Sequence, residues 1–154
     1  VPHPGGKRSS QNDIFVLARS SAGPVSIMVE GKVRESFGPT ISEWLVDASP
    51  GKKRRLNYLQ SVIGLPAVPE GAIRYQLMHR AGSAVIVGEQ FRAAAALLLV
   101  HSFSQERVGW PDYEAFLRLF GVTATQNTVQ RLPGGSKVPL FAAWVEGDSE
   151  FLNA

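Results

Sequence analysis

Residues able to handle a divalent metal and a phosphate stand close together near the start of the chain. Asp13 opens an apolar run, Ile14-Phe15-Val16-Leu17-Ala18, and Glu30-Gly31-Lys32 closes a second, β-rich run that begins at Val25. In a strand, side chains two apart point the same way, so Glu30 and Lys32 project together. Ser20-Ser21-Ala22-Gly23-Pro24 supplies turn residues between the runs, which makes them a hairpin. Turning near Ala22-Gly23 brings residue 13 opposite the neighbourhood of residue 32. Two carboxylates and one ammonium then converge at one end of a sheet. A one-residue slip in register would move Asp13 to the other face. Two converging carboxylates with a backbone carbonyl form the hard-oxygen surroundings that suit Mg²⁺. A lysine beside such a metal can orient and help deprotonate an attacking water, while the metal lowers the water's pKa and offsets phosphate charge.

A second group lies on a segment with helical spacing. Ile73, Leu77, Ala81, Ala84, Val85 and Phe91 recur near helical intervals over residues 71–91, which puts Gln76, His79 and Arg80 on one face. These side chains could hold a phosphate or orient a water; the plainer reading is a polar stripe with one satisfied histidine. Arg74, on the opposing side, is expected to face solvent. Gly82 and Gly88 weaken the helical pattern and leave Ala84-Val85-Ile86-Val87 open to being a short buried strand. Ala95 to Ser102 reads as a buried central strand, or as an Ala-rich helix if the preceding segment is a strand. His101 at its end reads as a hydrogen-bonded core histidine.

The remaining elements must position these two groups. Residues 41–48 and 52–63 look helical, the second stopped by Gly64 and Pro66. Pro111 and Gly121 frame a helix from Asp112 to Phe120. Thr128 to Leu132 and Val138 to Val145 flank a Pro133-Gly134-Gly135-Ser136 turn as a second hairpin. Strands and helices interleave, so the fold class is α/β or α+β, a mixed sheet flanked by helices. Trp44, Trp110 and Trp144 serve most simply as packing anchors.

Composition narrows the chemistry. The 154 residues fit one domain spanning 1–154, with residues 1–12 a flexible lead-in. With no cysteine, thiol nucleophiles, Cys-based zinc sites and iron–sulfur clusters are excluded, and the composition is compatible with a cytoplasmic protein. Residues 1–77 carry 10 Lys/Arg against 6 Asp/Glu, whereas residues 78–154 carry 6 against 7. The basic excess peaks at Lys52-Lys53-Arg54-Arg55, which can neutralise phosphates or simply be a solvated helix start. The longest apolar run, Ala93 to Val100, has 8 residues, against about 18–20 needed to span a bilayer, so no membrane partner is expected. Metalloprotease, nucleophile-elbow and dinucleotide-binding motifs are absent.

The Asp13 to Glu30-Gly31-Lys32 arrangement across two successive strands resembles the PD-(D/E)xK nuclease superfamily, with the restriction-endonuclease-like fold. The matching segments are Gln11-Asn12-Asp13-Ile14-Phe15-Val16-Leu17 and Val29-Glu30-Gly31-Lys32. Phe37-Gly38-Pro39-Thr40 and Glu43-Trp44-Leu45 are also similar to an uncharacterised bacterial family thought to share that core. The resemblance covers about residues 10–102. It implies that Asp13 and Glu30 are metal-binding carboxylates, that Gly31 lends its carbonyl, and that Lys32 is the catalytic lysine. It also implies a glutamine on the helix after the E-x-K strand, for which Gln76 is the candidate, although Arg80 interrupts the usual Q-x-x-x-Y spacing. The activity implied is hydrolysis of nucleic-acid phosphodiesters, with DNA the expected substrate and Mg²⁺ or Mn²⁺ the cofactor. Lys52, Lys53, Arg54, Arg55 and Arg80 would contact the nucleic acid. One site cuts one strand at a time, so duplex cleavage calls for a homodimer or two events. The alternative is a catalytically inactive nuclease-like fold acting as a nucleic-acid-binding or protein-interaction module. The superfamily core begins with a helix and a strand ahead of the Asp-bearing strand. Only 12 residues precede Asp13, starting in a Pro/Gly-rich stretch without an initiator methionine, so truncated N-terminal elements are expected.

Overall fold

A computed structural model describes residues 13–69, 71–148 and 150–151; the expected lead-in at 1–12 lies outside the described residues. The first two runs form the hairpin, β1 (Ile14–Ser20) and β2 (Gly23–Lys32), paired antiparallel from Ile14↔Val29 to Ser20↔Gly23. β2 then runs parallel to β3 (Ala95–Ser102), and β3 parallel to β5 (Leu140–Glu146). The short β4 (Gln130–Arg131) pairs antiparallel with β5 at the far edge. The result is one mixed five-stranded sheet in the order β1-β2-β3-β5-β4, an α/β fold.

Period-two alternation decides what each face of this sheet meets. Ser26, Met28, Glu30 and Lys32 of β2, Ala96, Leu98, Val100 and Ser102 of β3, and Leu140, Ala142 and Trp144 of β5 are all buried. Their neighbours Val25, Ile27, Val29, Leu97, Leu99 and Phe141 on the opposite face are only partly covered. The helix α3 (Tyr75–Gln90) packs on the buried face as the crossover between β2 and β3. Behind it lies α2 (Pro50–Val62), while α4 (Trp110–Arg118) closes the β5 end with Tyr113 and Phe116. Trp144 anchors that end, edge-on to Trp110 at 5.3 Å and within 5.5 Å of the Tyr113 ring. Burial pushes the Tyr113 hydroxyl well above the usual phenol range.

Every residue of α3 from Leu77 to Gly88 is buried, because the helix is covered by the sheet on one side and α2 on another. A helix buried all round has little reason to show a clean apolar stripe. The stretch Ala84–Val87 is therefore helix and not a strand. A Cβ on Gly82 would come within 2.6 Å of the Leu59 side chain, so this glycine lets α2 approach α3 closely. Other boundaries shift by local chemistry. The helix expected over 41–48 is the single turn α1 (Ile41–Leu45), which ends where Val46 turns extended. Its start is a capping box: Glu43 N donates to Thr40 Oγ1 at 3.2 Å, and Thr40 N donates to the Glu43 carboxylate at 2.7 Å. That backbone bond, then the Thr40 hydroxyl, holds the Glu43 carboxyl below its ordinary pKa. The strand expected over 128–132 shrinks to two residues. Arg74 does not simply face solvent; its Nε pairs with Asp112 Oδ1 at 3.0 Å and its guanidinium donates to the Gly38 carbonyl at 2.8 Å. No helix among the described residues is long and apolar enough to cross a membrane.

Gly64 follows α2 with φ +77°, and the turn at Gly134-Gly135 docks directly on it, Gly135 N donating to Gly64 O at 3.2 Å. A Cβ there would sit 2.3 Å from the Gly135 nitrogen, whereas at Gly121, with φ +70°, nothing lies within 4 Å. Gly121→Ala should therefore cost only the left-handed backbone strain, about 1–2 kcal/mol. Gly64→Ala adds a backbone collision and should cost at least twice that; urea unfolding of the two variants checks the order.

Candidate active site at the end of strand β2

Glu30 and Lys32 lie on the buried face of β2 with side chains only 2% and 4% exposed. Charges so deeply placed need partners, since an unpaired buried ion is strongly unfavourable. The partners come from α3, where Gln76 and Arg80 sit one turn apart and face the strand. Glu30 Oε1 accepts from Lys32 Nζ at 2.9 Å and from Gln76 Nε2 at 2.5 Å. Its Oε2 accepts from Arg80 Nε at 2.5 Å. Lys32 Nζ also donates to the Ser36 carbonyl at 3.3 Å and to Gln76 Oε1 at 3.4 Å, and lies 4.9 Å from the centre of the Phe37 ring. Gln76 thus bridges the pair with its two ends used oppositely: the amide nitrogen meets the carboxylate, and the amide oxygen meets the ammonium. Reversing the amide would set oxygen against oxygen, so the network itself fixes its orientation.

Two cations thus surround one buried carboxylate. Glu35 adds a partly compensating charge at 4.0 Å from Lys32, but its side chain is 58% exposed. Burial alone would raise the Glu35 carboxyl. The backbone amides of Glu35, Arg34 and Val33, and then the Lys32 charge, bring it below its ordinary value. His79 Nδ1 lies 3.4 Å from an Arg80 terminal nitrogen. Arginine can only donate, so this contact is a hydrogen bond in the tautomer that leaves Nδ1 without a proton. The same ring stacks on Tyr75 at 5.6 Å.

Asp13 takes a different partner. Continuing the hairpin register one step past Ile14↔Val29 sets it opposite Glu30, not Lys32. Its Oδ2 accepts from the Gly31 amide at 2.9 Å, and the residue is exposed. Glu30 is drawn toward α3 by Gln76 and Arg80, while Asp13, just ahead of β1, is held by the Gly31 backbone at the same end of the sheet. A Cβ on Gly31 would make only ordinary contact with Asp13 Oδ2, at 3.8 Å. Among the described residues no group of three or more histidine or acidic side chains could hold a metal. Magnesium asks for less than that, since it keeps several waters and is often bound through one or two carboxylates plus substrate phosphate. Asp13 and Glu30 are the carboxylates that could supply such a pair here, the Glu30 oxygens already accepting from Lys32, Gln76 and Arg80.

The basic run divides on folding. Ser49 caps α2, accepting from Lys52 N at 3.3 Å, and Pro50 opens the helix. Lys52 Nζ turns back to donate to the Trp44 carbonyl at 2.8 Å and rests 5.3 Å from the Trp44 ring. Arg55 is half-buried beside Tyr75, whose hydroxyl is pushed up by burial and partly pulled back by that guanidinium. Lys53 and Arg54 remain exposed. Trp44 lies flat on Tyr75, rings 3.9 Å apart at 9°. The ladder Trp44–Tyr75–His79 therefore borders the Gln76–Arg80 face of α3. Sequence reasoning missed this ladder, although Tyr75 and His79 at i and i+4 carried its signal. His101 sits on the partly covered sheet face against Phe103, ring centres 4.4 Å apart, and is not a core histidine.

Residues 1–149 match a family described as DUF6946, a domain of unknown function. The chain belongs to that family. No curated protein and no solved structure matches it.

The charge balance of the Glu30 network gives an ordered expectation. Glu30→Gln leaves two buried cations without this carboxylate and should cost about 3–5 kcal/mol. Arg80→Met leaves a balanced Glu30–Lys32 pair, and loss of its charged hydrogen bond to Glu30 accounts for about 1.5–3 kcal/mol. Denaturant midpoints of the two variants check that order.

Proposed function

We propose that this chain is a divalent-metal-dependent phosphodiesterase acting on nucleic acid, DNA in the first instance, within the cytoplasm. The observation that carries this reading is the mutual hydrogen bonding of Glu30, Lys32 and Gln76, the last 44 residues from the lysine, at the end of β2 where Asp13 also arrives. In this reading Asp13 and Glu30, with the Gly31 carbonyl, hold Mg²⁺ or Mn²⁺. The bound ion would supply charge neutralisation at the scissile phosphate and a more acidic water. Lys32, fixed by Gln76 and the Ser36 carbonyl, positions the attacking water against the phosphate. Gln76 aligns the directly paired carboxylate and ammonium, its amide nitrogen on Glu30 and its amide oxygen on Lys32. Arg80 draws one oxygen of Glu30 toward α3 and adds positive charge where an anionic substrate must settle. Lys53 and Arg54 meet the backbone of the nucleic acid directly, while Lys52 and Arg55 brace the Trp44–Tyr75 stack. Duplex cleavage by this single site would use a homodimer or two successive events.

One observation favours a second reading. Both oxygens of Glu30 are already engaged by protein donors, which suits a nuclease-like fold that binds nucleic acid without cutting it.

Incubating the protein with circular single- and double-stranded DNA and Mg²⁺ or Mn²⁺ separates the two. The nuclease reading expects metal-dependent nicking that falls at least about 100-fold in both Lys32→Met and Glu30→Gln, the scale of losing a positioned acid–base group. Full activity in a folded double variant would exclude this site. On either reading, Lys53→Ala/Arg54→Ala should lower the slope of log affinity against log salt by about 2 on duplex DNA.

A further inference from the structure

The register of the three parallel strands extends the Lys32 end of the sheet sideways. Lys32 pairs with Ser102, and Ser102 with Glu146, so the three stand in one row across β2, β3 and β5. Beyond the last two lies a cavity of about 300 Å³ whose walls are polar: Ser102, Ser104, Gln105, Arg107, Glu146 and Asp148. Such crevices outside the carboxyl ends of parallel strands are where α/β sheets take ligands. A narrower cleft along Val33, Arg34 and Phe103 shares Ser104 and Gln105 with it. That cleft thus lies between the cavity and the segment that leaves Lys32.

Glu146 is fixed from two sides. Its carboxylate takes Arg107 Nε at 2.9 Å, and its backbone amide donates to Asn127 Oδ1 at 3.0 Å. Both residues that fix it have left-handed backbones, Arg107 at φ +54° and Asn127 at φ +52°. An arginine pays for that conformation in strain, and strain of this kind gathers at ligand sites. The floor is closed by Gly147 N donating to Ser102 O at 2.7 Å, with Ser102 itself buried.

The lining carries two carboxylates against one guanidinium, so a phosphate is disfavoured and a hydrogen-bond donor is wanted. Hydroxyls, the Gln105 amide and Arg107 supply complementary donors for ring nitrogens and carbonyls. We propose that this cavity receives the base of the nucleotide adjoining the phosphate at Lys32, and that Glu146 selects bases with an exocyclic amine. Carboxylates read such amines by accepting from them. Glu146 lies two strand spacings from Lys32, about 10 Å, which one nucleotide spans. The inference rests on the nucleic-acid reading above but not on cleavage.

The test is nuclear magnetic resonance titration of the intact chain with cytidine, adenosine, uridine and ribose, without metal. Cytidine and adenosine should shift the amides of residues 102–107 and 146–148 and bind about tenfold more tightly than uridine, the discrimination of one good base-edge pairing. Glu146→Gln, at an exposed position that should leave the melting temperature unchanged, should erase that preference. Uridine or ribose binding as tightly as cytidine, shifts located elsewhere, no binding at all, or a preference that survives Glu146→Gln would each overturn the proposal. Mg²⁺ alone shifting these amides while nucleosides do not would overturn it as well. Nucleosides binding as expected to a chain that fails to nick DNA would sink the nuclease reading and leave this one standing. Nicking without nucleoside binding would do the reverse.

Discussion

The carboxylate of Glu30 is buried to 2% exposure, and a charge in that position cannot be left to itself. Its compensation has to come from elements that reach the same place. Lys32 arrives along β2 by simple alternation, while Gln76 and Arg80 arrive from α3, 46 and 50 residues further along the chain. The crossover helix must therefore lie over β2 with its first turns at the strand's carboxyl end. Small side chains permit this: Gly88 of α3 lies against Ser26 of β2, and Gly82 lets α2 close over it against Leu59. Hydrophobic burial supplies most of the driving force for that layer. The Glu30 network contributes specificity of register, because sliding α3 by one residue would strand two cations and a carboxylate.

The same network sets the electrostatics of the site. Lys32 and Arg80 both pair with the Glu30 carboxylate in the interior, while Glu35 and Asp13 at this end stand in exposed positions. A protein that needed only a stable core would do as well with apolar residues here. Charged and amide groups tied to one another in this way instead fix the relative placement of β2 and α3. Aromatic rings from Trp44 and Tyr75 flank this region, so apolar contact surface and positive charge lie side by side.

Much of this arrangement is legible in the amino-acid sequence. The hairpin follows from two β-rich runs and a turn, and period-two alternation alone puts Glu30 with Lys32. Helical spacing alone puts Gln76 with Arg80. The pairing between those two sets is not legible, because it depends on how a parallel strand and its crossover helix dock. Asp13 illustrates the limit at short range. Its register position lies within two residues of that expected, yet its carboxylate takes the Gly31 amide, a choice made by side-chain torsion and not by residue spacing. The basic run shows the limit at middle range. Four like charges read as one patch, but Lys52 and Arg55 fold inward onto Trp44 and Tyr75, whose position is set by α1 and α3. The glycines of α3 mislead for a definite reason: helix propensity penalises Gly82, whereas close packing against Leu59 requires it.

The concentration of polar chemistry at one end of the sheet has a topological cause. In parallel strands every chain leaves the sheet at the same end, so the segments after β2, β3 and β5 emerge side by side. Backbone pairing there is used up by links such as Phe103 N to Lys32 O at 2.7 Å and Gly147 N to Ser102 O at 2.7 Å, which tie the departing loops together. Side chains on the covered face at that edge lie beyond the last apolar layer of Val100 and Trp144, where the core ends and water or a ligand begins. Lys32, Ser102 and Glu146 occupy that boundary row in register. Glu30, two pairs earlier, and Lys32 in this row are buried and satisfied by protein, whereas Glu146 in the same row is exposed and lines the cavity. The Glu30 network and the Glu146 cavity are thus two consequences of one arrangement.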